Sequence, residues 1–302
     1  MRLVRYLSGN AGPRTGAVLD GRIVDLHGAV PHHVEDVHPG DMSGLLALGD
    51  KTLRAMAAEL SSGNSKHVPI AKKTVQLLAP IHNPAKIICA WVNYPNPAVA
   101  KLPETPIFFS KYPSALLAPE KAIILPRIAS QIVVEPELAA VIGRGGKHIA
   151  EQKALAHVAG YTICNDVTAF SHRLQVLLGS PGPYAMAKTF DTFLPCGPAL
   201  VTRDEIADPH NLFVRQWLNG DIKTQSHTSR AIFRLPRLIS YVSDFFRLEP
   251  GDLILTGSPP PDRAPAYLSA GDKVSIEIEN IGVLNSTVVA EREGPKARRT
   301  RS

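Results

Sequence analysis

The stretch Ile132-Val133-Val134-Glu135-Pro136-Glu137-Leu138-Ala139-Ala140-Val141-Ile142 is an apolar run that is interrupted by two carboxylates and a proline. Gly143-Arg144-Gly145-Gly146 follows at once and predicts a tight turn after a strand. Side chains two residues apart lie on the same face of a strand, so Glu135 and Glu137 should project together. The run predicts a β fold and marks one place in it for chemistry.

More short apolar runs of this kind surround it, punctuated by proline and glycine. They include Ile87-Ile88-Cys89-Ala90, Ile107-Phe108-Phe109 and Ile123-Ile124-Leu125. Clear helical patterns beyond residue 75 are confined to about residues 150–158 and 231–246. We therefore expect a β-rich body with few helices, which is a mainly β (α+β) fold class.

The first part of the chain has a different pattern. Residues 1–28 form short strand-like pieces between Gly, Asn and Asp turn residues, and residues 41–60 place leucines and a methionine at helical spacing. This predicts a small N-terminal α/β module over residues 1–72. The main domain is expected over residues 80–291, followed by a basic disordered tail at 292–302.

Composition limits the class of protein. The chain has 302 residues, of which 44% are hydrophobic and 20% charged, which is typical of a globular protein with one large core. No segment approaches the roughly 18 apolar residues of a membrane helix, and the first residues lack a signal-peptide layout. Cys89, Cys164 and Cys196 are far apart, which predicts buried free thiols in a reducing compartment. We expect a cytoplasmic protein with no membrane partner.

The net charge of +6 does not predict a nucleic-acid partner. Four of the 33 basic residues, Lys296, Arg298, Arg299 and Arg301, lie in the tail, whereas the chain has 27 acidic residues. The body is thus close to neutral and lacks the basic face that nucleic-acid binding requires.

The first candidate site consists of carboxylate side chains. Two like charges at Glu135 and Glu137 repel, and a hard cation such as Mg²⁺, Mn²⁺ or Ca²⁺ would resolve the repulsion better than zinc. The alternative is a solvated edge strand that Pro136 marks. Asn165-Asp166 follows an apolar strand, where sites are often assembled, although Asp is also common there as a helix cap or turn residue.

Two further features are weak by themselves. Lys188 is a lone lysine between small and apolar residues, and Thr256-Gly257-Ser258-Pro259 ends the strand at residues 253–255. The alternatives are an exposed lysine and an ordinary turn. His32, His33 and His38 are predicted to lie in a polar loop and to serve solubility.

In this order the pieces resemble the fumarylacetoacetate hydrolase family, whose smaller members include acylpyruvate hydrolases and oxaloacetate decarboxylases. The resemblance covers nearly the whole chain. Its motifs are Asn93-Tyr94, Phe109-Ser110-Lys111-Tyr112-Pro113, Glu135-Pro136-Glu137-Leu138, Asn165-Asp166-Val167-Thr168-Ala169, Lys188-Thr189-Phe190-Asp191-Thr192, Trp217-Leu218-Asn219-Gly220, Gly251-Asp252-Leu253-Ile254-Leu255-Thr256-Gly257 and Gly271-Asp272-Lys273-Val274.

The resemblance implies a β-roll that forms homodimers and a divalent ion, Mg²⁺ or Mn²⁺ with Ca²⁺ as a further candidate. It also implies a small 2-oxo or 1,3-dicarbonyl acid as substrate and hydrolysis of a C–C bond in it. The implied residues are Glu135, Glu137 and Asp166 as metal ligands, Lys188 and Thr256 as catalytic residues, and Asn93, Tyr94 and Lys111 as substrate-binding residues.

The chain departs from the family's pattern in three segments, one of which is Pro259-Pro260-Pro261-Asp262-Arg263 in place of a glycine-containing loop, so the mouth of the pocket should differ. A lid residue that is a histidine base in relatives is Pro97 here, and its supporting glutamate is Ala100. In the segment after Asp166, Arg173 and Gln175 are the candidates for holding the substrate, and His172 either replaces the missing base or is an exposed helix residue. The alternatives to a hydrolase are therefore a metal-dependent isomerase, decarboxylase or cyclase, or a protein that binds the ligand without turnover.

Overall fold

The computed structural model describes residues 1–62, 68–97, 99, 101–170, 184–263 and 265–292. The strands, in chain order, are β1 (Arg2–Leu7), β2 (Arg14–Leu19), β3 (Arg22–Asp25), β4 (Ile70–Ala71), β5 (Gln76–Leu78), β6 (Ile87–Trp91), β7 (Ile107–Ser110), β8 (Leu116–Leu117), β9 (Ala122–Leu125), β10 (Ile132–Val133), β11 (Pro136–Ile142), β12 (Val158–Asn165), β13 (Thr168–Ala169), β14 (Leu194–Thr202), β15 (Phe213–Leu218), β16 (Asp221–His227), β17 (Leu253–Leu255), β18 (Lys273–Ile278) and β19 (Gly282–Ala290).

Helices are fewer and mostly short. The α-helices are α1 (Leu26–Ala29), α2 (Pro31–Val34), α3 (Met42–Ala47), α4 (Gly49–Ser61), α5 (Tyr184–Lys188) and α6 (Leu235–Phe245), and 3₁₀ turns span Lys72–Thr74, Pro113–Ala115, Glu151–His157, Arg203–Glu205 and Thr228–Arg230. Among the residues described here, none of the helices is long and apolar enough to span a membrane.

One large sheet organises the molecule, in the order β4-β3-β2-β1-β14-β12-β11-β17-β6-β7, with β5 paired to β1 and β8 to β14. A second sheet has the order β16-β15-β18-β19-β9, and β10 pairs with β13. The prediction of a mainly β body is confirmed, and the predicted N-terminal strands and the helices at residues 41–60 are also found.

Strand β11 lies in the middle of the large sheet and is buried on both faces. Leu138, Ala140 and Ile142 contribute to an apolar core shared with the second sheet and α6. Ala139 and Val141 point the other way, into a core that includes residues of α3 and α4. An interior strand has no solvated face, so the quoted apolar run is explained by its position.

The alternative interpretation of a solvated edge strand at Glu135 and Glu137 is wrong. β11 pairs with β12 on one side and β17 on the other, and all of its residues are buried. Pro136 is only its first residue, opposite Asn165. At that position the missing N–H of a proline is tolerated.

The N-terminal strands extend the large sheet, because β1 pairs with β14 through Arg2↔Val201 and Leu3↔Leu200. The division of the chain at residues 1–72 and 80–291 stays a prediction. The predicted basic tail falls almost wholly on residues 293–302, which lie outside the described residues. All three cysteines are buried free thiols, as predicted.

Two predicted helices differ from the structure in type or length. Residues 151–157 form 3₁₀ turns instead of an α-helix. The helix expected from residue 231 begins at Leu235, where Pro236 stands in the first turn and fixes its start.

His210 caps helix α6 through its side chain. The backbone N–H of Leu235 donates to its Nε2 at 2.9 Å, and its Nδ1 lies 3.2 Å from Asp208 Oδ1. An imidazole can accept at Nε2 only when that nitrogen carries no proton. Burial lowers the pKa of His210 below its ordinary 6.5 and favours this neutral form, although Asp208 opposes the shift.

We predict that the cap loses strength in acid. Because the folded-state pKa of His210 lies below 6.5, the unfolded chain takes up the proton first as pH falls. The cap contributes about 1 kcal/mol to the free energy of unfolding. This contribution is complete above pH 6.5 and is lost as the pH falls towards the folded-state pKa of His210. Urea unfolding of wild type and His210→Ala at pH 7.5 and pH 5 measures it.

The variant should show a smaller drop in stability than wild type between these two pH values. His148→Ala is a matched control, since His148 is exposed and pairs with Asp244 at the surface. An unchanged pH dependence in His210→Ala would show that the cap is not the acid-sensitive contact.

Candidate metal centre

The candidate site forms where three strands of the large sheet meet. β11 is antiparallel to both β12 and β17, with Pro136 opposite Asn165 and Ala139 opposite Leu255. The start of β11 therefore lies beside the ends of its two neighbours. This arrangement brings together Glu135 and Glu137 from β11 and its entrance, Asp166 after β12, and Thr256 after β17.

The three carboxylates converge as the sequence predicts. One oxygen from each of Glu135, Glu137 and Asp166 lies within 4.8 Å of the others. Glu137 and Asp166 are 2% and 0% exposed, whereas the Glu135 side chain is 23% exposed, so the cluster opens to solvent at Glu135. The backbone is tied here as well, because Asp166 N donates to Glu135 O at 2.9 Å and Glu135 N donates to Asn165 Oδ1 at 3.1 Å.

Two buried lysines contact the cluster. Lys188, at the end of α5, donates from Nζ to Glu135 Oε2 at 2.7 Å and to Asp166 Oδ2 at 2.6 Å. Its ammonium also lies 4.7 Å from the centre of the Phe109 ring. Lys111, just after β7, donates to Asp166 Oδ1 at 2.6 Å and to the carbonyl of Val167 at 3.2 Å.

These contacts shift the pKa values of Asp166 and Glu137 in opposite directions. Burial alone would raise the pKa of Asp166, but Lys111 and Lys188 outweigh it and hold that pKa below its ordinary value. Burial would lower the pKa of Lys188, but Asp166 and Glu135 hold it above its usual range, so the ammonium stays charged. Burial and the neighbouring charges of Asp166 and Glu135 raise the pKa of Glu137 well above its ordinary value.

The residues fit a divalent ion. Glu137 accepts a hydrogen bond from the backbone N–H of Gly257 at 2.6 Å, but it has no lysine partner among the described residues. Three carboxylates and two ammonium groups leave one buried negative charge when all are ionised, and a cation would offset it. An all-oxygen donor set favours Mg²⁺, Mn²⁺ or Ca²⁺.

The Thr256-Gly257 turn closes one side of the centre. Thr256 donates from its backbone N at 3.0 Å and from Oγ1 at 2.9 Å to the carbonyl of Leu138. Gly257 has φ +88°, and a Cβ there would lie 2.7 Å from Asn93 Cβ, so the position requires glycine. The turn thus presents a backbone N–H to Glu137, and the Thr256 hydroxyl can only accept from a ligand.

Asn93 holds this turn against a distant segment. Its Nδ2 donates to Thr256 O at 2.7 Å and to Phe233 O at 3.0 Å, and its Oδ1 accepts from Phe233 N at 2.7 Å. Tyr94 is 3% exposed, and burial together with the charge of Glu137 raises the pKa of its hydroxyl. These three hydrogen bonds fix the Asn93 side chain beside the turn, so Asn93 forms part of the wall of the site.

The predicted site residues fall into three groups. Glu135, Glu137, Asp166, Lys188 and Thr256 come together in one place. Asn93, Tyr94 and Lys111 were predicted to bind substrate. Asn93 contacts the turn, Lys111 contacts Asp166 and Tyr94 is buried, and the roles of all three towards substrate stay predictions. His172, Arg173 and Gln175 lie outside the described residues.

Sequence reasoning missed two contributors. The backbone N–H of Gly257 is a ligand-positioning donor, and the Phe109 ring lies against Lys188. A glycine two residues after the end of a strand is a signal for the first, since glycine permits positive φ. Nothing in the local pattern around Phe109 indicates its partner, which is 79 residues away in the chain.

The geometry fits a class of protein, the enzymes that hold a divalent ion with three carboxylates and keep a charged lysine beside it. The chain belongs to the fumarylacetoacetate hydrolase family, because residues 86–289 match the model of that family's C-terminal domain. The resemblance seen in the motifs is confirmed.

Particular relatives cover almost the entire chain. A mitochondrial oxaloacetate tautomerase of Xenopus laevis is 38% identical over 96% of this chain and 90% of its own length. A human mitochondrial oxaloacetate tautomerase is 37% identical over 96% of this chain and 92% of its own length.

Solved structures agree with the fold. Maleylpyruvate hydrolase from Sphingobium sp. SYK-6, in complex with manganese(II) and pyruvate, has a TM-score of 0.78 and 28% identity over 97% of this chain and 100% of its own. A 5-carboxymethyl-2-hydroxymuconate delta-isomerase from Mycobacterium smegmatis has a TM-score of 0.73 and 32% identity over 96% of this chain and 100% of its own. The predicted fold class is thus confirmed.

We predict that Lys111→Met destabilises the metal-free protein by about 3–5 kcal/mol, because it leaves Asp166 buried without one of its two cations. Added Mg²⁺ should recover part of this loss by mass action at the same cluster. Urea unfolding with and without Mg²⁺ measures both effects.

Lys86→Met is the matched control. Lys86 pairs with Glu249 and Asp252 at 3.1 Å each, and its side chain is 24% exposed. Its replacement should cost less and gain no additional stability from Mg²⁺. Equal losses in the two variants, with no difference in their response to Mg²⁺, would contradict the role given to Lys111.

We also predict that metal affinity rises with pH. Ligation needs the ionised carboxylate, and the pKa of Glu137 is raised well above 4.5, so metal binding must release a proton until the pH exceeds that pKa. Isothermal titration calorimetry with Mg²⁺ over a series of pH values, in buffers of different ionisation enthalpy, counts the protons. Glu137→Gln should remove most of the affinity and this proton release.

The variant Glu277→Gln serves as the control, because Glu277 pairs with Arg215 on the second sheet. If wild type binds Mg²⁺ equally well at all pH values above 5, the raised pKa of Glu137 is refuted.

Proposed function

We propose that this chain is a divalent-metal-dependent tautomerase that interconverts the keto and enol forms of a 2-oxo dicarboxylic acid of the oxaloacetate type. The observation that carries the proposal is a complete carboxylate–lysine cluster without a histidine base beside it among the described residues. Among the described residues no histidine contacts Glu135, Glu137 or Asp166, and Pro97 stands at the position for which the resemblance to the family implies a histidine base.

Tautomerisation requires less machinery than hydrolysis. The proton at C3 of such an acid lies between a ketone and a carboxylate group, and its removal needs only a weak base. Hydrolysis of a C–C bond also needs an activated water molecule, which a positioned general base supplies. The described part of the chain therefore suits a proton shift better than the attack of water.

Lys188 is suited to stabilise the charge that develops in this reaction. The ammonium has three donors, of which two are used by Glu135 and Asp166. The third remains for the 2-oxygen of a substrate, where negative charge grows as the C3 proton passes to a solvent water molecule that acts as the weak base. The oxygen then takes up a proton from solvent to give the enol. When bound, a divalent ion would supply a Lewis acid towards the oxygen atoms of a 2-oxo acid.

The similarity to known proteins supports this choice. The Xenopus laevis and human relatives are named oxaloacetate tautomerases, and both align over nearly the full chain. Hydrolysis of an acylpyruvate, the function first expected from the motifs, is the second candidate. It is favoured by the structural match to maleylpyruvate hydrolase, which was solved with manganese(II) and pyruvate.

The test compares two substrates. Purified protein with Mg²⁺ or Mn²⁺ should accelerate the decay of the ultraviolet absorbance of enol-oxaloacetate, and a chelator should abolish the effect. Lys188→Met should reduce kcat about 100-fold or more, as expected for loss of one donor to a developing oxyanion. Lys86→Met, away from the cluster, should stay near wild type.

An assay with acetylpyruvate as substrate distinguishes the tautomerase from the hydrolase. Metal-dependent release of acetate and pyruvate, detected by mass spectrometry, without acceleration of enol decay would overturn the tautomerase proposal in favour of hydrolysis. If hydrolysis occurs and His172→Ala abolishes it, His172 is the replacement base.

The predicted cytoplasmic location and homodimer stay predictions. The tautomerases of Xenopus laevis and human are named as mitochondrial proteins, so the alternative to a cytoplasmic location is a mitochondrial one. Light scattering coupled to size-exclusion chromatography would determine the number of chains.

A further inference from the structure

A second cluster of ligand-type side chains lies in the N-terminal part of the chain, away from the carboxylates. His32 and His33 stand on α2, and Glu59 stands near the end of α4. Nε2 of His32 is 3.1 Å from Glu59 Oε2, and Nε2 of His33 is 3.2 Å from the same oxygen. The prediction that His32 and His33 lie in a loop is wrong, because both lie on α2, from which they converge on one carboxylate.

The spacing of these atoms suits a tetrahedral ion. Ligand atoms about 2.0–2.1 Å from a zinc ion in a tetrahedron are about 3.3 Å apart. The two nitrogen–oxygen distances are close to this value, and all three ligand atoms lie within 4.8 Å of one another. Small shifts of three side chains would place them around one ion.

The donor set differs in kind from the carboxylate centre. Two imidazoles with one carboxylate favour Zn²⁺, Cu²⁺ or Ni²⁺, whereas three carboxylates favour Mg²⁺ or Mn²⁺. Three protein ligands also leave a fourth tetrahedral position for water. The His32 side chain is 61% exposed and Glu59 is 31% exposed, so an ion can reach the cluster from solvent.

Direct hydrogen bonding is the competing explanation. The rings of His32 and His33 lie 4.2 Å apart, centroid to centroid, and each could donate its Nε2 proton to Glu59. The chain holds a simpler pair of this type, in which His148 Nδ1 lies 3.1 Å from Asp244 Oδ1. A single imidazole and a carboxylate need no metal, but two imidazoles around one oxygen provide a three-ligand set.

We propose that His32, His33 and Glu59 form a second metal site, which takes Zn²⁺ or a similar transition-metal ion and is independent of the carboxylate centre. The ion joins the short helix α2 to the long helix α4. Binding therefore stabilises the N-terminal part of the chain without entering the reaction.

The test uses the full chain after removal of metal, with Mg²⁺ present in excess. Zn²⁺ is titrated by calorimetry, and bound zinc is counted by elemental analysis. Wild type should retain one more zinc ion per chain than His33→Ala or Glu59→Gln. Co²⁺ in place of Zn²⁺ should give the intense visible absorption of tetrahedral cobalt in wild type, and this absorption should be absent in both variants.

His148→Ala is the matched control and should behave like wild type, because it removes a histidine–carboxylate pair of the same distance. His32→Ala removes a largely exposed ring and should also lose the ion while the chain stays folded, as judged by its circular dichroism. Equal zinc content in wild type, His33→Ala and His32→Ala would overturn the proposal, as would a cobalt spectrum that survives in all three.

Discussion

The buried charge of three carboxylates at one end of the large sheet is the constraint on which the rest of the site depends. Glu137 and Asp166 are almost wholly inaccessible because β11 and β12 lie in the interior of the sheet. Charge in such a place must be compensated. Two lysines provide part of the compensation, and the remaining negative charge favours a cation at the cluster. Metal binding, lysine placement and the stability of the sheet are thus coupled.

The two halves of the centre come from different kinds of structure. The carboxylates and the Thr256-Gly257 turn lie at adjacent strand ends, so strand pairing fixes their positions. Lys188 comes from a short helix and Lys111 from a segment after β7. Departures from the family's pattern include Pro97, in the chain after β6, and the segment after residue 170, which lies outside the described residues. The fixed part is consistent with shared metal chemistry across the family, and loop changes are the ordinary way in which reactions diverge on one fold.

Both proposed metal sites follow from the chemistry of their ligands. The carboxylate centre is deep, compensated by lysines and suited to hard cations, whereas the imidazole cluster on α2 and α4 lies at the surface and suits softer ones. Their separation means that each can be removed by mutation without touching the other. An enzyme with this arrangement would respond to Mg²⁺ through its activity and to Zn²⁺ through its stability.

The sequence by itself determined the β-rich fold and the family and indicated the three carboxylates that converge, because apolar runs, a two-residue spacing and ordered motifs are local properties. It left open whether Glu135 and Glu137 were a solvated edge, since an edge and an interior strand can share one pattern. Only tertiary structure decided that β11 is interior, that Lys111 contacts Asp166, and that His32 and His33 meet Glu59. Those facts depend on contacts between residues far apart in the chain, and no local pattern encodes the partner of a side chain.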